Sequence, residues 1–198
     1  MPEKWTEDLF KDIRLHTHMD DHESYKICSI EVTHADRVAL LEQFNRIKDR
    51  CHAILEIGVN RNGGDSFTQV FLANKLPDTF YLGVDLDDKS FLNNPANRIF
   101  TIAENSSNID VVMEYAKHVG IDGFDFIFID GNHCTNQVLR DWEYTRYLRL
   151  GGIVGMHDTA YHSGPSAFMQ NMNTDIWCVV PNAITYPDDY GIGFAWKK

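Results

Sequence analysis

The sequence predicts an α/β protein of three layers, in which helices cover both faces of a seven-stranded, mostly parallel sheet with an antiparallel terminal strand. First, short and almost continuously apolar segments alternate with helical segments over residues 33–156, a pattern typical of parallel strands buried on both faces. Second, the last two apolar segments, residues 176–180 and 191–196, are joined by only ten residues, too few for a parallel crossover. Together these observations indicate a Rossmann-like α/β/α sandwich.

The predicted elements follow one another in chain order from Thr33. Thr33 can cap a helix that reaches about Arg50, because apolar residues recur there with the helical period. Apolar segments bounded by turn residues then predict strands, and the segments between them predict helices. Strands are expected at residues 53–57, 80–84, 98–102, 124–129 and 153–156, and helices at 66–75, 108–118 and 135–148.

Residues 1–32 differ from the rest of the chain in being polar, histidine-rich and only weakly periodic. We therefore expect an N-terminal lid or extension over residues 1–32 and a single domain over residues 33–198, which is long enough to bury a genuine core. Three histidines of the N-terminal segment, His16, His18 and His22, are interpreted as surface residues rather than as metal ligands.

The composition favours a cytoplasmic globular protein. Hydrophobic residues make up 43% and charged residues 24% of the chain, and no apolar run is long enough to cross a bilayer. The acidic N-terminus lacks the features of a signal peptide. The net charge of −11 would repel a phosphate backbone, so nucleic acid is not an expected partner. Four cysteines without CxxC spacing indicate reduced thiols.

A glycine-bearing turn follows the first predicted strand, between Glu56 and Ser66. Ligands of open parallel sheets bind beyond the carboxyl ends of the strands, and glycines there let the backbone approach a ligand closely. The turn lacks both the GxGxxG pattern and the ending of a phosphate-binding loop, which disfavours a nicotinamide dehydrogenase. An acidic residue before the turn suits a ligand with a cationic amino-acid group. An ordinary strand-to-helix turn is the alternative.

Two later strand ends carry residues suited to a nucleoside. Asp85 ends the second predicted strand, where a carboxylate can accept hydrogen bonds from both ribose hydroxyls. Asn105 and Ser106 follow the third strand, where they can hydrogen-bond an adenine edge. Because Asn and Ser are also common helix caps, a capping role is the alternative for these two residues.

Two acidic residues end the adjacent fourth and fifth strands and should converge above the sheet. Asp130 and Asp158 supply the oxygen donors that Mg²⁺ or Mn²⁺ prefers, and a metal ion there would orient an acceptor hydroxyl and lower its pKa. His157 precedes Asp158, and an imidazole at that place would favour Mn²⁺ or Fe²⁺. His133 could reach the same pocket. A simple turn at Asp130 and a helix cap at His133 are the alternatives.

The order of these motifs resembles that of class I S-adenosylmethionine (SAM)-dependent methyltransferases. The resemblance covers roughly residues 50–198 and is carried by a Glu-x-Gly turn, the strand-ending Asp85, the segments FDFIFIDGNH and GGIVGMHDT, and a final β-hairpin. Within the class, the sequence is similar to small-molecule O-methyltransferases of the macrocin, mycinamicin and cephalosporin-hydroxylase-like group. The resemblance implies that SAM is contacted by Glu56, Gly58, Asp85 and Ser106, and that His133 is the general base.

The whole predicted site combines these contacts with their neighbours at the strand ends. The expected cofactor-binding residues are Glu56, Gly58, Asn60, Gly63, Ser66, Asp85, Leu86, Asn105, Ser106 and Asp130. The expected catalytic residues are His133 and Asp130, and the expected metal ligands are Asp130, His157 and Asp158.

We expect a metal-assisted O-methyltransferase that moves a methyl group from SAM to a hydroxyl of a small molecule. Two alternatives stay open: a metal-independent methyltransferase with His133 as base, and a non-catalytic SAM-binding module. The module is supported by two departures from the family's pattern, Asn62 at the second glycine position of the turn and Asn132 in place of an aspartate. The expected partners are a hydroxylated small molecule and a second copy in a homodimer, with no nucleic acid and no membrane.

Overall fold

The computed structural model describes residues 32–59, 66–180 and 190–198. Its strands are β1 (Ala53–Ile57), β2 (Phe80–Asp85), β3 (Ile99–Ala103), β4 (Phe124–Ile129), β5 (Leu148–His157), β6 (Trp177–Val180) and β7 (Ile192–Lys197). In the described residues they form one sheet in the order β3-β2-β1-β4-β5-β7-β6. The first five strands are parallel, and β7 is antiparallel to both β5 and β6. The predicted Rossmann-like class, with a mostly parallel sheet and an antiparallel last strand, is confirmed.

Helices cover both faces of this sheet. They are α1 (His34–Asn45), α2 (Phe67–Asn74), α3 (Ile109–His118), α4 (Thr135–Trp142) and α5 (Ser163–Gln170). Ile54 of β1 belongs to a buried cluster with apolar residues of α1 and α2, whereas the next residue, Leu55, belongs to a second cluster with residues of α3 and α4. Because successive side chains of a strand point to opposite faces, the two clusters lie on opposite sides of the sheet.

The start of α1 has the cap that the sequence predicts. The backbone N–H of Asp36 donates to Oγ1 of Thr33 at 3.2 Å, and the backbone N–H of Thr33 donates to Oδ2 of Asp36 at 3.4 Å. This reciprocal capping box satisfies donors that a helix N-terminus leaves unpaired. The cap also fixes Asp36, which is fully buried and faces the candidate site described below.

The helix predicted over residues 135–148 is shorter in the structure. It ends at Trp142 and continues as a 3₁₀ helix, Glu143–Tyr147. β5 then begins at Leu148 rather than at residue 153, because Leu148 pairs with Phe124 before a register shift in the ladder between β4 and β5. The helical period alone could not reveal where strand pairing takes over from the helix.

The helix α5 was not predicted at all. Its first turn contains Gly164 and Pro165, which in a sequence usually indicate a turn. Proline is nevertheless tolerated in the first turn of a helix, because its missing N–H has no partner there.

The first predicted helix is also shorter than expected: α1 ends at Asn45, and Lys48–Arg50 form a separate 3₁₀ turn. Among the described residues, no helix is both long enough and apolar enough to cross a membrane.

The predicted lid lies outside the described residues except for Val32. The interpretation of His16, His18 and His22 therefore stays a prediction, as does the domain boundary at residue 32.

Candidate active site

A cavity of about 540 Å³, here named the first cavity, opens at the carboxyl ends of β1 to β4. Six of the predicted cofactor-binding residues lie in its wall: Gly58, Asp85, Leu86, Asn105, Ser106 and Asp130. Residues not included in the predicted site complete the wall, among them Lys89, Glu104, Cys134 and Gln137. This edge of an open parallel sheet is where ligands of such folds bind.

Gly58 brings the backbone after β1 against the backbone after β4. Its φ of +85° lies in the left-handed region, and a Cβ atom at this position would be 2.1 Å from the carbonyl oxygen of Asp130. The backbone N–H of Gly58 donates to the carbonyl oxygen of Val84 at 2.9 Å, and the N–H of Asp130 donates to that of Ile57 at 2.8 Å. Only glycine fits this position, because any side chain would push β1 and β4 apart at the cavity wall.

Asp85 lies at the end of β2 with its carboxylate held by backbone donors. Its Oδ2 accepts a hydrogen bond from the N–H of Val59 at 2.7 Å, and its Oδ1 accepts one from the N–H of Asp87 at 2.8 Å. These bonds fix the orientation of the carboxylate, and each oxygen keeps a further lone pair for a ligand hydroxyl. The next side chain, Leu86, is 76% exposed in the cavity wall.

A network of polar side chains that the sequence did not reveal holds Ser106 in place. The Nε2 atom of Gln137 donates to Oγ of Ser106 at 2.9 Å and to Oδ1 of Asp141 at 2.8 Å. The hydroxyl of Tyr144 donates to the carbonyl oxygen of Ser106 at 2.7 Å. Burial raises the pKa of Asp141 to about 6, and the hydrogen bonds from Ser106 and Gln137 limit the rise.

Two predicted cofactor residues lie outside the wall of the first cavity. Ser66 is buried at the N-cap of α2. Glu56 is 1% exposed and accepts a very short hydrogen bond from the hydroxyl of Tyr81. Asn60 and Gly63 lie outside the described residues. The cofactor role of these four residues stays a prediction.

Burial gives Glu56 an unusual protonation state. It raises the pKa of the Glu56 carboxyl to about 8, although hydrogen bonds from Tyr81 and Thr68 oppose the rise. Between the ordinary pKa of 4.5 and about 8, the folded chain keeps a proton that the unfolded chain has lost. The free energy of unfolding should therefore fall as the pH rises through this window.

We expect Glu56→Gln to remove most of that pH dependence. The amide keeps the size of the side chain and has no charged form to bury, so at pH 8.5 the variant should be more stable than the wild type by about 1–3 kcal/mol. Urea unfolding at pH 5.5 and pH 8.5 measures the difference. Glu114→Gln, on the exposed face of α3, is the control and should change neither value. Equal pH dependence in wild type and Glu56→Gln would contradict the assignment of a neutral Glu56.

A second cavity of about 450 Å³ adjoins the first. Its wall consists of Val32, Asp130, Gly131, Asn132, His133, His157, Asp158, Tyr161, His162 and Tyr190. Asp130, Gly131 and Asn132 line both cavities, so the loop after β4 lies between them. The rings of Tyr161 and Tyr190 meet edge to face at 5.0 Å and form an aromatic part of the wall. The structure thus brings together all the predicted catalytic and metal-ligating residues.

His157, the last residue of β5, is enclosed by three carboxylates, with 1% of its side chain exposed. Its Nδ1 atom lies 3.1 Å from Oδ1 of Asp130 and 3.3 Å from Oδ2 of Asp158, and its Nε2 atom lies 3.4 Å from Oδ2 of Asp36. Burial by itself lowers the pKa of an imidazole, but these carboxylates raise the pKa of His157 well above its usual value. The geometry is that of an imidazolium between acids.

Two further imidazoles face Asp158. The Nε2 atom of His133 lies 2.6 Å from Oδ2 of Asp158, within hydrogen-bonding distance. The Nε2 atom of His162 lies 3.9 Å from Oδ1 of the same carboxylate. Although burial alone would raise it, the neighbouring imidazoles of His133 and His157 hold the pKa of Asp158 below its usual range.

A glycine in α5 makes this convergence sterically feasible. A Cβ atom on Gly164 would be 2.2 Å from the carbonyl oxygen of His133, so α5 can rest on the loop after β4 only without a side chain there. His162, the residue at the N-cap of α5, is carried to the same place. Trp177 does not line the second cavity; it is buried against Trp142, with ring centroids 5.1 Å apart.

The fold and the site together define a class I SAM-dependent methyltransferase: a parallel sheet closed by an antiparallel strand, with a glycine turn after β1 and an acidic residue at the end of β2 beside one cavity. Residues 55–159 match the family model described as a methyltransferase domain. The match covers more than half of the chain, and the protein belongs to this family.

Solved structures share the fold. The mycinamycin-pathway methyltransferase MycE, in a complex with Mg, S-adenosylhomocysteine (SAH) and mycinamycin VI, is 20% identical with a TM-score of 0.56 over 79% of this chain. This chain spans about half of MycE, 47% of its length. The O-methyltransferase TomG from Streptomyces achromogenes, in complex with SAM, is 13% identical with a TM-score of 0.62, covering 98% of this chain and 91% of TomG. The Bacillus cereus O-methyltransferase in complex with SAH is 14% identical with a TM-score of 0.61, and the match covers 100% of this chain and 94% of that protein. No curated protein matches by sequence.

Proposed function

We propose that this methyltransferase transfers the methyl group of SAM to a hydroxyl of a small molecule. The observation that carries the proposal is the wall shared by the two cavities, formed by Asp130, Gly131 and Asn132. A cofactor in the first cavity and an acceptor in the second would meet at this wall, and methyl transfer requires that the two reactants be held in contact. TomG and the Bacillus cereus protein, both O-methyltransferases, support the oxygen acceptor.

The first cavity has the groups that a SAM molecule needs along its length. In this proposal the carboxylate of Asp85 accepts the ribose hydroxyls, and the exposed side chain of Leu86 packs on the adenine. Asn105 and Ser106 bind the adenine edge, with Ser106 held by the network around Gln137. The close backbone approach at Gly58 leaves room for the methionine part. All of these residues line the first cavity, and hydrogen bonds fix the carboxylate of Asp85 and the hydroxyl of Ser106.

The second cavity supplies a base beside the shared wall. As the methyl carbon leaves the sulfonium and bonds to the acceptor oxygen, the hydroxyl proton must pass to a base. In the metal-independent version of the reaction, the imidazole of His133 takes this proton, and the carboxylate of Asp158, 2.6 Å from its Nε2 atom, stabilises the imidazolium that forms. The side chain of His133 is 20% exposed and therefore accessible from the cavity.

In the metal-assisted version, a divalent ion beside Asp158 would lower the pKa of the acceptor hydroxyl and orient it. The residues present offer such an ion the carboxylates of Asp130 and Asp158, whose potential ligand atoms lie within 4.8 Å of each other and of a ring nitrogen of His157. In the MycE complexes, Mg and SAH are bound together, which supports this version. A chelator separates the two versions, because only the metal-assisted reaction should stop.

We expect Asp85→Asn to weaken SAH binding by about 100-fold. The asparagine keeps an acceptor oxygen for the N–H of Val59 but loses the acceptor of the Asp87 N–H and the charge that would bind two ribose hydroxyls. Hydrogen bonds to a charged group contribute about 1.5–3 kcal/mol each. Isothermal titration calorimetry with SAH measures the change. Asp88→Asn is the matched control, because Asp88 accepts a similar backbone hydrogen bond, from Ser90, but does not line the first cavity.

The same titration tests the proposed function. Wild-type affinity in Asp85→Asn would contradict the placement of the ribose. Binding of SAH by the wild type, without methyl transfer from SAM to any member of a broad hydroxylated panel, would favour the non-catalytic module instead.

A further inference from the structure

We propose that three side chains in and behind the wall of the first cavity, Ser106, Gln137 and Asp141, make the cofactor site selective for adenine over hypoxanthine. Ser106 accepts a hydrogen bond from the exocyclic amino group of the base, and Gln137 and Asp141 are positioning residues that fix the hydroxyl of Ser106. The inference rests on the proposed function, which places the base of SAM beside Ser106. We call the three residues the Ser-Gln-Asp network.

The amide of Gln137 has one favourable orientation. Its Nε2 atom donates to Oδ1 of Asp141 at 2.8 Å, and its Oε1 atom accepts a hydrogen bond from the hydroxyl of Ser107 at 3.0 Å. Asp141 is largely ionised at neutral pH, because burial raises its pKa only to about 6, and an ionised carboxylate has only acceptor atoms. The opposite orientation of the amide would therefore bring two oxygens together. The second N–H of Nε2 is left for Oγ of Ser106, at 2.9 Å.

The hydroxyl of Ser106 keeps one acceptor position for a ligand. One lone pair of its Oγ atom accepts from Gln137, and its hydrogen is donated to the carboxylate of Asp141, because a charged acceptor forms the stronger hydrogen bond. A hydroxyl has one hydrogen and two lone pairs. Among the described residues, these two partners leave the second lone pair for a ligand in the first cavity, so Ser106 acts as an acceptor there.

The fold holds the network in place before a ligand binds. Gln137 and Asp141 lie one turn apart on α4. Tyr144, in the 3₁₀ helix that follows, donates from its hydroxyl to the carbonyl oxygen of Ser106 at 2.7 Å. Both the side chain and the backbone of Ser106 are thus fixed by the same stretch of chain. An acceptor that is held in advance discriminates better than a hydroxyl that can turn, because it cannot adapt to the wrong partner.

The burial of Asp141 is better explained by this role than by stability. Its side chain is fully buried, and its Oδ2 atom has no hydrogen-bond partner among the described residues. A buried carboxylate with an unpaired oxygen costs free energy, and an apolar side chain of similar size is commonly tolerated in such a place. The carboxylate is needed where a hydroxyl hydrogen and an amide hydrogen must both be held in fixed directions.

Adenine and hypoxanthine differ at the group that meets this lone pair. The exocyclic amino group of adenine donates, whereas the corresponding group of hypoxanthine is a carbonyl oxygen, which only accepts. With hypoxanthine, two acceptors would face each other, and a site built to hydrogen-bond one group rejects an analogue that lacks it. We therefore expect SAH to bind at least about tenfold more tightly than its hypoxanthine analogue, S-inosylhomocysteine.

The test is isothermal titration calorimetry of the full chain with SAH and with S-inosylhomocysteine. Asp141→Asn keeps the shape of the side chain but removes the charged acceptor, so the hydroxyl of Ser106 can turn its hydrogen toward the ligand and donate to hypoxanthine. We expect the preference for SAH to fall to within about threefold in this variant.

Ser106→Ala should lose the preference as well. The alanine has no acceptor, and the N–H of Gln137 that it releases can bind the carbonyl oxygen of hypoxanthine. Ser106 is only half-buried, so this variant still decides the matter if Asp141→Asn does not fold.

Glu143→Gln is the matched control. It removes the same charge two residues further along the chain, but Glu143 pairs with arginines and lines neither cavity, so the wild-type preference should be retained. The proposal is overturned if either Asp141→Asn or Ser106→Ala keeps the wild-type preference, or if Glu143→Gln loses it. A third ligand, the SAH analogue with unsubstituted purine, lacks the amino group but keeps N1. Binding as tight as that of SAH would place Ser106 at N1 and would also overturn the proposal.

The same titrations separate this inference from the proposed function. A wild type that binds SAH and S-inosylhomocysteine equally rejects the Ser-Gln-Asp network alone. A folded wild type that binds neither ligand rejects the proposed function.

Discussion

Replacing Asp158 by asparagine is expected to lower kcat by about 1,000-fold and to leave the affinity for SAH within about twofold. Asp158 contacts both His133 and His157 and lines the second cavity but not the first. Its charge stabilises the imidazolium of His133 in one version of the reaction and binds the ion in the other, and loss of a general base or metal ligand commonly costs factors of about 10²–10⁴. In the proposed function, the cofactor is bound by other residues, which line the first cavity.

The measurement is transfer of a labelled methyl group from SAM to whichever hydroxylated acceptor the wild type methylates, with SAH titrations in parallel. Asparagine is the appropriate substitute because, like aspartate, it tolerates the left-handed backbone found at this position. A variant that turns over at the wild-type rate would remove Asp158 from the reaction centre. A variant that also loses SAH would mean that the two cavities are not energetically separate.

Gly58→Ala is expected to destabilise the fold by about 3 kcal/mol or more and to abolish SAH binding. The added Cβ atom would lie 2.1 Å from the carbonyl oxygen of Asp130, a separation that forces the backbones after β1 and β4 apart. The same movement would distort the wall shared by both cavities. Overpacking of this kind typically costs about 1–3 kcal/mol, and the left-handed φ of +85° adds roughly another 1–2 kcal/mol.

Gly120→Ala provides a matched control for the backbone strain. Gly120 has a φ of +95°, but an added Cβ atom would meet only the ring of Phe80, at 3.6 Å. We expect this variant to lose roughly 1–2 kcal/mol and to bind SAH normally. Urea unfolding and calorimetry of both variants measure the difference. If both glycine variants lost equal stability and kept SAH, the steric argument for Gly58 would be wrong.

Most of the fold could be predicted because the spacing of apolar residues along the chain indicates strands and helices locally. Buried strands are short and apolar, and residues 53–57 and 124–129 were predicted with the bounds that the structure has. The antiparallel final pair followed from the length of its connection, since ten residues cannot cross the sheet. The helix α5 could not be predicted, because Gly164 and Pro165 in its first turn are also the signals of a loop.

The positions of the site residues along the chain could also be predicted, because parallel strands present their carboxyl ends at one edge. Gly58, Asp85 and Ser106 reach one cavity and His133 and Asp158 reach the next for that topological reason. The direction in which each side chain points was not predictable. Thus the structure turns the side chain of Glu56 toward Tyr81, although Glu56 precedes the same turn as Gly58.

The sequence by itself determined the class of fold, the edge of the sheet that carries the site and the identity of most groups at that edge. Only the tertiary structure decided which of those groups touch. Asp36 and His157 are 121 residues apart in the chain, yet Oδ2 of Asp36 lies 3.4 Å from Nε2 of His157. His162 lies 3.9 Å from Asp158 because it stands at the start of α5, a helix that no periodic pattern predicts. Periodicity and capping are local properties of a chain, whereas the convergence of side chains depends on how helices pack on the sheet. The number of imidazoles beside Asp158 is set by that packing.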